Sequence, residues 1–270
     1  MLFADNGRRL ASPSMRVFSN SPSDYYRINQ QVNDFQLILE RIKKNNLISI
    51  NVDPLDFENR SIMLKNKIQN NESFKNIING VHIPFVYQGL NKNEDLGGDL
   101  EDYLLPAIQK SFKEKHPKSN FKATLQGNSV LINNLRIASN SRYEKFIEIS
   151  NLNAVVGWYF PQALQEFDID SQRLQMTELP HTDEFVVCLS GAKDIGAAIV
   201  GSPDILISTD FYTPILCMSS YVHNDPRLVL LLKAYGPHLE FWCMSQMLTK
   251  NVTQVSEQWS GGLTIYESIK

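Results

Sequence analysis

The chain has 270 residues, 43% of them hydrophobic, 10% aromatic and 20% charged, which excludes a disordered or collagenous polymer and leaves room for one large domain or two small ones. A formal net charge of −3 and a pI near 6.0 provide no strong nucleic-acid signal, because sequence-independent binding to phosphates relies on a basic field. No apolar run approaches the roughly 20 residues of a membrane helix, so no membrane insertion is expected.

The average conceals an asymmetry. Residues 1–153 carry 20 Lys and Arg against 16 Asp and Glu, a net of +4, and residues 154–270 carry 6 against 13, a net of −7. Asparagine divides in the same way, with 22 of 24 in the first part, whereas Cys188, Cys217 and Cys243 all lie in the second. This predicts a mobile tail over residues 1–23, a mixed α/β region over 24–153 and a helical region over 154–270, with the two regions free to share one core. Three cysteines without a Cys-x-x-Cys unit point to reduced, buried thiols rather than a disulfide framework or a zinc finger, and so to a cytoplasmic, reducing compartment. The N-terminus lacks the apolar segment of a secretory signal. Asparagine and lysine richness suits an accessory or effector protein of an AT-rich microbe, including one delivered into a host cytosol.

In chain order, residues 1–23 are rich in Ser, Pro, Asn and Arg and show no apolar periodicity. Ser12 follows Arg8 and Arg9 at the offsets of a basophilic kinase site, a pattern equally at home in a solvated tail. From Ser23, the spacing of Ile28, Val32, Phe35, Ile38, Leu39 and Ile42 predicts an amphipathic helix ending near Lys44. Residues 47–52 read as a short strand, 61–78 as a helix stopped by Asn79-Gly80, and 81–87 as extended. After an acidic loop at 94–99, Leu100, Leu104, Ile108 and Phe112 predict a helix that ends before Pro117, with Pro106 kinking it or lying in its first turn. Residues 121–125 and 129–132 flank Gly127-Asn128 as a hairpin would.

The second region is punctuated like a series of short helices. Asp225-Pro226 reads as a cap and first turn, 228–232 as a helix apolar all round, and Gly236 as its C-terminal glycine. Pro237 then opens a helix through Leu239, Phe241, Trp242, Met244, Met247 and Leu248. Thr182-Asp183-Glu184 starts one through Phe185, Val186 and Leu189, and residues 193–200 form another between Gly191 and Gly201. The stretches ending in Cys188-Leu189-Ser190, Cys217-Met218-Ser219 and Cys243-Met244-Ser245 echo one another at intervals of 29 and 26 residues, near the period of helical repeats. A chance echo is the competing reading. The expected fold class is therefore α+β, mainly α: a mixed region followed by an array of short helices, read as degenerate helical-hairpin repeats.

His181-Thr182-Asp183 resembles the His-x-Asp part of the facial triad in iron and 2-oxoglutarate dependent oxygenases. The resemblance covers these residues with His223 as the second histidine, and implies an iron(II) site at His181, Asp183 and His223 with Arg227 near a cosubstrate carboxylate. Asp183 also serves as a helix start. A thiol nucleophile, as in a cysteine-dependent hydrolase, is the other chemistry in reach, although the cysteines sit among Val, Leu, Trp and Met. No phosphate-binding loop or His-Glu-x-x-His motif occurs, and no cofactor is assigned. Trp158, Tyr159, Phe160 and Trp242 are the candidate binding residues. The expected function is protein–protein interaction, an adaptor whose C-terminal region holds another protein. The alternative is an enzyme with its active site between the two regions.

Overall fold

The computed structural model describes residues 2–19, 24–89, 95–125, 130–245, 248–249, 252–253 and 255–269. The turn expected at Gly127-Asn128, the cap at Ser23 and the helical position of Met247 lie outside them.

The helices of the first half begin where side chains satisfy free backbone N–H groups. Asp34 caps α1 (Phe35–Lys44) by accepting from Leu37 N at 2.9 Å, and Asp53 caps α2 (Pro54–Asn70) by accepting from Leu55 N at 2.8 Å. The first helix is thus shorter than its apolar spacing suggests, and Val32 is 96% exposed. Residues 47–52 form no strand, and a 3-10 turn (Lys75–Asn79) separates α2 from β1 (Ile83–Tyr87). The helix expected around Leu104 is built in three parts. These are α3 (Leu96–Asp99), a π-turn (Leu100–Leu104) and α4 (Leu105–Lys115). Leu105 N–H bonds to Leu100 O, and Pro106 follows, so the wide turn falls where the proline has no N–H to offer. The remaining helices are α5 (Tyr143–Leu152), α6 (Ile169–Glu178) and α7 (Ala192–Gly201).

The second half is not an array of helical hairpins. Its apolar stretches pair edge to edge as β4 (Val155–Gln165), β5 (Val186–Leu189), β6 (Ile215–Cys217), β8 (Leu228–Tyr235), β9 (His238–Ser245) and β12 (Trp259–Ser268). With β1 and β2 (Phe121–Leu125) they form an eight-stranded mixed sheet in the order β1-β4-β12-β6-β8-β9-β2, with β5 on β12 beside β6. Two-stranded pairs join β3 (Leu135–Ile137) to β7 (Tyr221–His223) and β10 (Leu248–Thr249) to β11 (Val252–Thr253). The expected mainly α class and the repeat reading are therefore corrected. Cys188, Cys217 and Cys243 lie on β5, β6 and β9, three strands with different pairings. Their echo reflects buried strand centres, not equivalent places on successive helices.

The misread punctuation has a physical cause. Asp225 Oδ1 accepts from Arg227 N at 3.0 Å and Asp225 O from Leu228 N at 3.0 Å, an Asx-type turn that shares its hydrogen bonds with a helix cap. Gly236 has φ +56, and Tyr235 pairs with His238, so Gly236-Pro237 is a two-residue hairpin turn. Glycine at the first position and proline's fixed φ at the second suit a type II′ turn as well as they suit a helix end followed by a helix start. An apolar run of five cannot separate the two, because a buried strand and a buried helix both want it. Residues 121–125 do form a strand, but β2 runs parallel to β9 and pairs with no hairpin partner. Between Gly191 and Gly201, the expected short segment is the helix α7.

One face of the sheet is covered by α1, α4, α5 and α7, whose side chains join one large core with Phe85, Tyr159, Leu232, Phe241 and Tyr266. Helix α7 lies beneath α1 and α4, and all ten of its residues are buried. Its glycines permit that depth, since a Cβ on Gly201 would lie 2.7 Å from Ile38 Cγ2. The other face packs Trp158, Phe160, Leu263 and Ile265 against α2, α6 and the N-terminus. Residues 2–19, expected as a mobile tail, are strapped across this second core. Phe3 and Met15 are buried, Arg9 N donates to Ala163 O at 2.8 Å, Val17 bridges Phe167, and Arg16 pairs with Asp168. The segment lacks periodicity because its bonds go to the end of β4, to acidic side chains and to its own tight turns, none of which needs a regular apolar spacing. No described helix is long and apolar enough to cross a membrane.

Gly236→Ala places a Cβ in open space but in the left-handed region, so it is expected to cost about 1–2 kcal/mol in urea unfolding. A helix-ending glycine and a hairpin glycine are distinguished by Pro237→Ala. It is expected to leave the far-ultraviolet strand signal intact, since the turn supplies no helix start.

Candidate functional site

The alternation that buries Leu239, Phe241 and Cys243 in the large core turns Glu240, Trp242 and Met244 of β9 to the opposite side. In register with them on β8 are Lys233, Leu231 and Val229, and beyond those on β6 and β12 lie Ile215, Cys217 and Trp259. Among the described residues a small cluster covers this part of the sheet, with Ile169 of α6 against Val229, Leu231 and Cys217, and Trp242, Met244 and Trp259 are half-buried. The polar groups here are fixed to the aromatic ones. Lys233 Nζ stands 4.4 Å from the Trp242 ring centroid and 3.6 Å from Glu240, and the indole N–H donates to Glu240 Oε2 at 2.7 Å.

At the β8–β9 turn, this face opens into a groove of about 570 Å³ between the hairpin and the segment around Phe211. The segment is shaped by local bonds: Ser208 Oγ accepts from Asp210 N and Phe211 N, and Thr213 Oγ1 donates to Leu206 O. Tyr26 is laid alongside by a bridge to Tyr212 and by Arg27 N donating to Tyr212 O at 3.0 Å. Tyr25 stacks on Tyr212 with ring centroids 5.3 Å apart, and the Arg27 guanidinium sits 4.7 Å above Phe211. Tyr25, Tyr212 and Tyr235 are 54%, 63% and 70% exposed, which leaves three large rings in water at one site. Partial burial, then Glu257 and the neighbouring tyrosines, holds the Tyr26 hydroxyl above its ordinary range.

Of the residues singled out in the sequence, Trp242 belongs to this surface. Trp158, Tyr159 and Phe160 are each no more than 2% exposed. The Trp158 indole donates to Ser61 O and its ring meets Phe35 and His82, so these three side chains serve the two cores and offer nothing to the surface. His181 and Asp183 are exposed in the approach to β5, whereas His223 is buried on β7 with both ring nitrogens in use. Its Nδ1 accepts from Asp225 N at 2.9 Å and its Nε2–H donates to Val130 O at 3.4 Å. Among the described residues, no three His, Cys, Asp or Glu side chains converge as metal ligands. Burial pushes the Cys188 thiol well up and the Cys217 thiol up to about 12, the opposite of what a nucleophile needs.

A further set escaped sequence reasoning. At the first turn of α7, Lys193 Nζ meets Asp99 at 2.6 Å with both side chains under 5% exposed. Asp194 accepts from Tyr143 Oη at 2.7 Å, from Gly191 N at 2.9 Å and from Thr264 Oγ1, which also contacts Ser190 Oγ. Desolvation raises the Asp194 carboxyl above its ordinary range, and these hydrogen bonds counter it only in part. Tyr87, Tyr143, Tyr159 and Tyr221 crowd the same place, all pushed well up by burial first and by the Asp99 or Asp194 charge second. The one available signal was a Lys-Asp pair inside an otherwise apolar helix. Its side-chain partners Tyr143 and Thr264 lie 51 and 70 positions from Asp194, and Asp99 lies far back in the chain from Lys193, which no local pattern reveals.

Comparison with protein-family models, with curated proteins and with solved structures finds no match to this chain.

Asp99→Asn strands a buried ammonium and is expected to cost about 3–5 kcal/mol in urea unfolding, whereas Asp99→Leu with Lys193→Met recovers most of it. Since burial raises the Asp194 carboxyl in the folded state, folding favours its protonated form. That contribution is full below the ordinary carboxyl range and is lost as pH rises through the raised value. Asp194→Asn is therefore expected to gain stability relative to the unaltered protein as pH rises from about 4 towards neutrality, read from unfolding midpoints across pH.

Proposed function

We propose that the chain is a binding protein that holds a segment of another protein in the aromatic groove and against the neighbouring Trp242 face. The observation that carries this reading is the exposure of Tyr25, Tyr212 and Tyr235 around one groove, with two of the rings already stacked. Large aromatic rings gain most from removal from water, and Tyr and Trp lose little side-chain entropy when they are covered, which makes them the usual anchors of an interface. The Lys233–Glu240–Trp242 cluster adds polar groups that are already oriented, so less order has to be imposed on binding. The groove is concave and sits at the turn end of the β8–β9 hairpin, a setting that suits an extended segment better than a flat domain surface.

A second reading, an enzyme with its active site between the two halves of the chain, has one observation in its favour. The buried set at α7 draws Asp99 and Tyr143 from the first half and Lys193 and Asp194 from the second. A buried, perturbed carboxyl such as Asp194 and a buried lysine are what catalytic sites commonly use, and also what some cores use for rigidity.

The test of partner binding is affinity capture from source-cell lysate followed by titration of the captured partner. Tyr212→Ala and Tyr235→Ala are each expected to weaken that partner by about 30-fold with unchanged unfolding midpoints. Equal retention by both variants overturns the groove as the binding site.

A further inference from the structure

We infer that the aromatic groove takes its occupant as an added β-strand, hydrogen-bonded through its main chain to the groove edge of β8 at Ala234. This rests on the reading of the groove as the site that holds a segment of another protein, and it states the form in which that segment is held.

The sheet has a gap there. β6 and β8 pair through Leu216 with Leu232 and Cys217 with Leu231, and Met218 N donates to Leu230 O at 2.9 Å, so Leu230, Leu232 and Ala234 in alternation turn their N–H and C=O groups to the β6 side. Continuing the register places Pro214 opposite Ala234, and a proline has no N–H to give to the Ala234 carbonyl. The ladder ends at Leu232. Past Pro214 the chain is drawn to a different neighbour by the parallel bridge between Tyr26 and Tyr212, and the groove opens between the two. Among the described residues, nothing takes the Ala234 N–H or supplies its C=O. The opposite edge of the same stretch is complete, because Lys233 and Tyr235 pair with Glu240 and His238 of β9.

One residue thus presents an unpaired main-chain donor and acceptor, half-buried, in the lining of an open groove. An extended segment meets both at once. A helix already uses its own N–H and C=O groups internally, and a proline-rich segment has no N–H to return, so neither satisfies the pair. In an added antiparallel strand the residue opposite Ala234 exchanges both bonds with it, and the residues on either side project with Lys233 and Tyr235. Main-chain bonds then supply affinity that does not depend on sequence, and the exposed Tyr235 ring favours large apolar side chains at alternate positions.

The experiment is a fluorescence-polarisation titration of the full chain with three labelled eight-residue peptides: alternating threonine and valine closed by lysines, the same peptide N-methylated at every amide between the lysines, and octaproline. The threonine–valine peptide is expected to saturate between about 10 µM and 1 mM, with the other two weaker by about tenfold or more. Ala234→Pro removes the groove-side N–H and leaves the bonds of Lys233 and Tyr235 to β9, a position at which strand edges accept proline. Its far-ultraviolet signal is expected to be unchanged and its affinity for the threonine–valine peptide to fall by about tenfold. Hydrogen exchange reads the same contact without a substitution: the bound peptide is expected to slow the Ala234 amide by about tenfold or more.

The inference is overturned if the threonine–valine peptide does not saturate, if the N-methylated peptide or octaproline binds as tightly, or if exchange at Ala234 is the same with and without the peptide. The groove reading fails on a different result, full retention of the captured partner by Tyr212→Ala and Tyr235→Ala. Loss of that partner in the tyrosine variants with full retention by Ala234→Pro keeps the groove and removes the strand.

Discussion

Lys193 and Asp194 enter the interior on the first turn of a helix that has no exposed face, and much of the architecture follows from satisfying them there. An isolated charge in such a place is prohibitively costly, so each must meet a partner from another element. Asp99 reaches Lys193 from the start of the π-turned helix, and Tyr143, Gly191 and Thr264 surround Asp194 from α5, the α7 cap and β12. These bonds tie the first half of the chain to the second at the centre of the molecule. Around them the small residues of α7 let α1 and α4 close over it, and the sheet beneath supplies the apolar floor.

The two faces of the sheet differ in consequence. The face beneath α7 is covered along its length by helices, and the far end of the other face, beyond the reach of α2, α6 and the N-terminal strap, is covered by one small cluster. There the alternation of β9 leaves Trp242 and Met244 half-buried, and the hairpin carries Tyr235 into the lining of the groove that Tyr212 also lines. Among the described residues, the aromatic surface is thus the part of the sheet that its helices do not reach.

Parts of this were legible without coordinates. Phe121–Leu125 and the end of α1 were readable because a strand bounded by polar residues and a helix ending in basic ones are local patterns. Trp242 was named as a binding candidate for its chemistry, and the structure leaves its ring half-buried beside Lys233 and Glu240. The N-terminal strap was not, because Arg8, Arg9 and Arg16 gain their meaning from Glu166, Glu178 and Asp168 more than 150 residues away. Nor were the groove tyrosines, which are scattered over residues 25, 26, 212 and 235 and come together only when Tyr26 bridges Tyr212.

What the sequence determined by itself is therefore local: α1 ends in the basic run at Lys44, α7 has a bounded run of small and apolar residues, and Gly236 sits where the chain must turn. Whether that glycine ends a helix or turns a hairpin was left to the tertiary structure. The run from Leu228 to Leu232 hides equally well as either, and its backbone N–H and C=O groups are satisfied by its own turn in one case and by neighbours in the other. The availability of β6 on one side and β9 on the other settles it as a strand. That choice replaces a series of short helices with a sheet, and with it creates the open face on which the proposed binding surface stands.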